Sequence, residues 1–178
     1  MLQLWPRMRR IVALSLGPGS QGVPIVAKWL RESREAAVTL RLAFGFAEVP
    51  IAEPAQWDRA LAEIAATPGT ALAVLESPFF ISQGKLLAEV ALKHRLPTVF
   101  AFRSHVETGG LLSYGVDADY IDERVAYYVA RILRGTRPQQ LPIEQPTKYE
   151  LALNASTASE LGLSIPRALL LQADRVVP

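Results

Sequence analysis

Hydrophobic and polar positions follow two alternating rhythms over the first hundred residues. "IVALSL" (11–16) is a continuous apolar run, the pattern of a strand buried on both faces of a parallel sheet. "GPGSQG" breaks it, and Pro24 suits the first turn of a helix reaching about Val38. "RLAFGFAEV" (41–49) reads as a second strand. "EPAQWDRALAEIAATPG" (53–69) is an amphipathic helix with Trp57, Leu61 and Ile64 on one stripe, closed by Pro68-Gly69. "TALAVLE" (70–76) is the third strand, "SQGKLLAEVALKHR" (82–95) the third helix and "PTVFAF" (97–102) the fourth strand. Strands alternating with helices in this way predict an α/β fold. Its architecture is a three-layer sandwich in which a mainly parallel sheet is flanked by helices through right-handed crossovers.

After residue 103 the pattern changes. "GLLSYGV" is a short strand following the pair Gly109-Gly110, and "DADYIDERVAYYVARILRG" is a helix with Asp117 or Asp119 as cap and Gly135 as stop. Ile121, Val125, Tyr128 and Ile132 form one apolar stripe on it, but Tyr120, Tyr127, Ala130 and Leu133 spread apolar surface to other sides. A helix that is apolar nearly all round expects partners on more than one side. "TRPQQLPIEQPT" (136–147), with three prolines, is an extended connector. "KYELALN" (148–154) alternates as a strand. Asn154 or Thr157 can cap the short helix that ends at Gly162, with Thr157 and Glu160 at capping-box spacing, and Pro166 opens a last helical turn.

Composition narrows the chemistry. Half of the 178 residues are hydrophobic, enough for one domain with a sizeable core. The 19 basic and 17 acidic side chains are interspersed, without a basic tract, so no nucleic-acid partner is expected. The absence of cysteine removes disulfides, thiolate metal sites and cysteine nucleophiles. His94 and His105 alone make a histidine-rich metal site improbable, and no metal is expected. His94, in the last turn of its helix, reads as a solvated cation opposing the helix dipole. Basic residues precede the apolar stretch at the start of the chain, but Ile11–Leu16 is too short for a signal-peptide core and leads into glycines. If Met1 is the true start, the expected compartment is the cytoplasm.

Three motifs sit where open α/β sheets bind ligands, after the carboxyl ends of strands. Gly17, Gly19 and Gly22 fit G-x-G-x-x-G between a strand and a helix, and Glu48 could hold a ribose hydroxyl. That makes an NAD-like nucleotide-binding protein one reading. "ESPFF" (76–80) offers Phe79 and Phe80 either for stacking on a ligand or as wedges under the next helix. Arg103, Ser104, His105 and Glu107 follow the fourth strand. Ser104 and His105 are sequence neighbours, an arrangement rarely able to exchange a proton, and no G-x-S-x-G elbow occurs. The sequence offers no catalytic constellation, so no enzyme activity and no cofactor are expected.

The blocks "ESPFF", "KHRLPTVFAFRSHVETGGLLSYGVD", "YVARILRGTRPQQLPIEQPTKYELALN" and "TASELGLSIPRALLLQADRVV" together resemble the ABC-transporter substrate-binding proteins of the tryptophan/tyrosine type. The similarity covers about residues 70–178, with residues 10–70 matching in element order only. Ordered motifs of this length outweigh the isolated glycine pattern. The resemblance implies one lobe of a type I periplasmic-binding-protein fold, the carboxyl-terminal one. On this reading residues 10–105 form the lobe. Residues 106–147 are a hinge strand, crossover helix and connector belonging to the missing lobe, and 148–178 return to the first. The family commonly carries Trp-Asn-Pro where this chain has Leu16-Gly17-Pro18, a departure at the ligand edge.

The function so implied is that of the solute-binding component of an ABC-type importer. A small polar or aromatic solute such as an amino acid is held between lobes and delivered to a permease, in the periplasm. The implied ligand contacts are Ser20, Gln21 and Ser77 as neutral hydrogen-bonding groups, Phe79 as a stacking face, and Arg103 with Glu107 as charged groups, Arg103 for a carboxylate. Gly109, Gly110 and Gly115 are implied hinge positions. A crossover helix (118–134) made for an absent lobe is expected to be covered by a homodimer. A stand-alone cytosolic sensor or interaction domain derived from such a lobe is the other alternative.

Overall fold

The computed structural model describes residues 1–17, 19–50, 53 and 55–178. Among these, seven strands form one sheet in the order β2-β1-β3-β4-β5-β6-β7. They are β1 (Arg10–Leu16), β2 (Ala43–Val49), β3 (Thr70–Val74), β4 (Thr98–Phe100), β5 (Leu112–Val116), β6 (Tyr149–Asn154) and β7 (Arg175–Val177). The first five run parallel, β6 is antiparallel to β5, and β7 is parallel to β6. The helices are α1 (Pro24–Thr39), α2 (Ala55–Ala65), α3 (Pro78–Ser82), α4 (Gly84–Lys93), α5 (Arg103–Glu107), α6 (Ala118–Leu133), α7 (Ala155–Glu160) and α8 (Arg167–Gln172). The α/β reading therefore holds. Pro54, at the expected start of the second helix, and Pro18, within the glycine loop, lie outside the described residues.

Two local features have clear causes. The segment expected as one helix over 82–95 begins at Gly84, because "PFFIS" makes a separate turn, α3, started by Pro78 and capped by Ser77, whose hydroxyl accepts from the Phe80 amide. At α7 the cap is Asn154, accepting from the Thr157 amide at 2.8 Å, while the Thr157 hydroxyl donates instead to the Gly109 carbonyl at 2.9 Å. The final strand β7, three residues long, gives too brief an alternation to read from sequence.

The main core lies between the sheet and α2 and α4. Val12, Leu14, Leu72 and Phe100 from the strands meet Trp57, Leu61, Ile64, Phe80, Leu87 and Ala91 from the helices. The predicted stripe Trp57, Leu61 and Ile64 is buried, and the Trp57 indole donates to the Pro50 carbonyl at 3.0 Å. Asp58, one position on, reaches the end of α4 and accepts from Lys93 at 2.8 Å, with His94 Nε2 at 2.7 Å. His94 is thus a hydrogen-bonded tie between α2 and α4, which corrects its reading as a solvated helix-end group. A second cluster joins Leu111, Leu112 and Leu153 to Ala158 and Leu169 under α7 and α8.

Topology decides what stands at the carboxyl edge. The chain leaves β5 at Val116 and re-enters β6 at Tyr149, and these two residues are register partners. Residues 117–148 therefore form an out-and-back excursion from one point on that edge. Among the described residues, none of α6 is buried, and Val125, Val129, Ile132 and Leu133 are exposed along it. The helix is held instead to its own connector, with the Tyr128 hydroxyl donating to the Pro142 carbonyl at 2.7 Å and Arg124 pairing with Glu144 at 2.6 Å.

Candidate functional site

Parallel strands that end together leave their following loops side by side, and here the loops after β1, β3, β4 and β5 share one edge. Two adjoining clefts open there. One, of about 280 Å³, is lined by Ile81, Phe102, Arg103, Glu107, Val116 and Glu150 among others. The other, of about 440 Å³, is lined by Glu76, Phe102, Gly115, Ile121, Asp122 and Tyr149 among others. Phe102, Val116 and Ala118 belong to both, so the clefts are continuous around the point where the excursion leaves the sheet. An apolar hollow of about 500 Å³ also lies on the sheet face between α1 and α8, over Ile11, Ala13 and Ala73, where small side chains leave space.

Arg103 is the most connected group at the edge. Its Nη1 meets Glu150 at 3.1 Å, its Nε meets Glu107 at 3.3 Å and its Nη2 meets Asp119 at 3.5 Å. Glu150 above all, by its hydrogen bond, raises the guanidinium pKa. Among the described residues, four carboxylates, Glu76, Glu107, Asp122 and Glu150, line the two clefts beside Arg103. Arg103 therefore reaches the edge with its charge already matched, and a ligand carboxylate would have to displace one of its partners. Sequence reasoning named Arg103 and Glu107 but missed Glu150, Ile81 and Tyr149. The signal for Glu150 was a charge inside the alternating strand "KYELALN".

The other implied contacts stand apart from these clefts. The Ser20 amide and hydroxyl both donate to Glu48, each at 2.7 Å, and the Gly19 amide does so at 3.3 Å. These hydrogen bonds, the Ser20 hydroxyl first, hold the Glu48 carboxyl below its usual range. A dinucleotide site needs such loop amides for phosphate, and here a carboxylate fills them. That geometry disfavours the nucleotide reading and gives Glu48 the task of shaping the loop rather than holding a ribose. Gln21 is exposed beside it. Ser77 is spent on capping α3, and Phe79 packs edge-on against Trp57 with centroids 6.0 Å apart. Phe80 is a buried wedge.

His105 is inside rather than at the surface. It stacks on Phe100 at 4.6 Å, and its Nε2 lies 3.2 Å from the Phe80 carbonyl, to which it donates. Nδ1 is buried without a partner among the described residues, so burial lowers the imidazole pKa. An imidazole whose folded pKa is depressed contributes stability that is complete above its unfolded value, near 6.5, and is lost as pH falls below that value. The melting temperature is expected to fall between pH 6.5 and 5 in the parent chain and to fall less in His105→Gln. Equal slopes in the two proteins would show that His105 does not govern this window.

The glycines flanking α5 and β5 are tight. A side chain at Gly110 would place Cβ 2.6 Å from the Phe100 ring and 2.8 Å from the His105 carbonyl. At Gly115 a Cβ would fall onto the Ala101 carbonyl oxygen. Close backbone approach answers why glycine stands at these two positions, both within the packed sheet region.

The comparisons with known proteins agree with this architecture. Among curated proteins, none matches the chain. A structure described as a conserved domain protein from Vibrio cholerae O1 biovar El Tor superposes with TM-score 0.79 and 25% identity, over 98% of this chain and 57% of that one. An ABC domain in complex with L-Trp from Streptococcus pneumonia gives TM-score 0.83 and 20% identity, over 99% and 57%. A ligand-free, open substrate binding protein with adhesive properties from Clostridium difficile gives 0.66 and 15%, over 94% and 54%. The chain thus spans little more than half the length of these structures. The family described as ABC transporter substrate binding protein matches residues 45–177, three quarters of the chain, including β3 to β6 and the whole excursion at the carboxyl edge. By that match this protein belongs to the ABC transporter substrate binding protein family.

Proposed function

We propose that the chain is the carboxyl-terminal lobe of a solute-binding component of an ABC-type importer, operating in the periplasm and delivering its solute to a membrane permease. The observation that carries this reading is the pair of adjoining clefts at the carboxyl edge, bounded by the excursion 117–148 whose helix is unburied. Residues 106–147 are, on this reading, the part of the chain that completes the opposite lobe, with Gly109, Gly110 and Gly115 at its root. The solute is a small polar or aromatic molecule, with an amino acid favoured by the L-Trp complex of one structural neighbour. Arg103 and Glu107 meet it directly, Phe102 lies between the clefts, and Gln21 and Phe79 contribute once the lobes close, while Ser20 and Ser77 join only by leaving Glu48 and the Phe80 amide.

Closure of two lobes supplies contacts from both sides and couples occupancy to shape, so one lobe provides only part of the affinity. Isothermal titration of the 178-residue chain with tryptophan, phenylalanine and tyrosine is expected to show no saturable heat at micromolar concentration. Micromolar affinity for any of them would overturn the division of labour between lobes while keeping the solute-binding reading. Saturable binding of NAD in place of amino acids would replace that reading.

The exposed stripe of α6 adds a second expectation. Ile121, Val125, Val129, Ile132 and Leu133 leave an apolar surface that favours cover by a second copy when no other lobe is present. Light scattering is expected to give a homodimer, and Val125→Glu is expected to return it to a 19.5 kDa monomer. A parent chain that stays monomeric at high concentration would count against the dimer.

A further inference from the structure

The excursion 117–148 is joined to the lobe by very little apolar contact, since none of the described residues of α6 is buried. What fixes its angle must therefore be sought at its root. There the outgoing and returning chains lie side by side, with the Asp117 amide donating to the Lys148 carbonyl at 3.1 Å just beyond the last β5–β6 pair. The Asp117 side chain works in two directions. Its Oδ1 accepts from the Asp119 and Tyr120 amides and so caps α6, while its Oδ2 meets Lys148 Nζ on the returning chain at 2.6 Å. Arg103 adds a second tie from the lobe side. It reaches Glu150 on β6 and Asp119 in the first turn of α6 at once.

We propose that this crossing is an ionic latch, in which Arg103 and Lys148 grip Asp119, Glu150 and Asp117 and thereby set the angle of α6 and its connector to the sheet. The moving part is a unit in its own right, because Arg124–Glu144 and Tyr128–Pro142 tie helix and connector together. The pivot is the Asp117–Lys148 backbone pair. The weakest grip is Asp119, at 3.5 Å and with its carboxylate exposed, so it lets go first. Charges that face solvent on one side are screened by salt, and the angle is accordingly salt-dependent.

The chain has no cysteine, so Glu89→Cys on α4 and Arg134→Cys at the far end of α6 place two spin labels without further changes. Labelled chain is diluted into unlabelled parent so that only distances within one molecule are read by pulsed electron paramagnetic resonance. The parent at low salt is expected to give one narrow distance distribution. In Arg103→Gln combined with Asp117→Asn the displaced population is expected to rise roughly five-fold, as for the loss of partly exposed ion pairs. Asparagine caps helices as well as aspartate does, so α6 itself survives and circular dichroism should be unchanged. Salt at about 1 M, where the screening length is roughly 3 Å, is expected to broaden the parent in the same direction. If the double variant does not fold, Arg103→Gln alone and the salt series on the parent decide. Distributions of unchanged width in both would overturn the latch, as would broadening that persists when the ion pairs are intact at low salt.

Discussion

Gly115→Ala is expected to be strongly destabilising. The new Cβ would clash severely with the Ala101 carbonyl oxygen. Both atoms are fixed by backbone, so no rotamer change relieves the clash, unlike at Gly45, where the nearest atom is the flexible end of Arg10. Ala101 follows β4 directly and Gly115 lies near the end of β5, so relief requires the two strands to part at the carboxyl edge. Overpacking of this kind costs about 1–3 kcal/mol where side chains can move and more where they cannot. Thermal or urea unfolding should show a loss of roughly 3 kcal/mol or failure to fold. Gly135→Ala is the control: its φ of 97° makes alanine strained there, but nothing lies within 4 Å of the added carbon. It should cost about 1 kcal/mol, the usual strain of a left-handed alanine. If Gly115→Ala is no worse than Gly135→Ala, the close approach is not what demands glycine, and its role as a flexible joint gains weight.

Trp57→Ala is expected to be the most destabilising core truncation. Trp57 is fully buried, contacts Phe79 and Phe80 edge-on, and satisfies its indole N–H on the Pro50 carbonyl. Removing it leaves a cavity in the layer between α2 and the sheet and an unpaired carbonyl. Such truncations cost about 3–5 kcal/mol, a large share of the roughly 5–15 kcal/mol that holds a domain of this size together. The chain should unfold at a markedly lower denaturant concentration or not accumulate as folded protein at all. Trp57→Phe, which keeps a six-membered ring but loses the pyrrole half of the indole together with its hydrogen bond, should cost about 1–3 kcal/mol. Near-equal losses in the two variants would mean that the pyrrole edge of the indole with its hydrogen bond, rather than the six-membered ring, dominates. Because Phe79 leans on Trp57, the alanine variant should also free Phe79, detectable as a change in near-ultraviolet circular dichroism.

Much of this fold was legible because its signals are local. The run at Ile11–Leu16, the stripe Trp57-Leu61-Ile64 and the cap of α6, read as Asp117 or Asp119 and found at Asp117, each depend on residues within a few positions of one another. The α6 surface was legible for the same reason: a helix apolar on several sides is visible from periodicity. Long quoted blocks from 70 onward pointed to the family that matches residues 45–177. The site was less legible. Arg103 and Glu107 follow a strand end and so were placed on the edge by order alone. Their relation to Glu150, 47 positions on, depends on β6 coming back antiparallel beside β5.

By itself, then, the sequence determined the alternation of strands and helices, the apolar face of each, and the edge at which loops gather, because these follow from nearest-neighbour chemistry and period. Tertiary structure alone decided which polar groups are free. Glu48 turned out to be held by the Ser20 loop, His94 by Asp58, and Arg103 by three carboxylates drawn from α5, α6 and β6. A charge is satisfied by whatever lies within about 4 Å of it in space, and distance in space is what a linear pattern of residues does not carry.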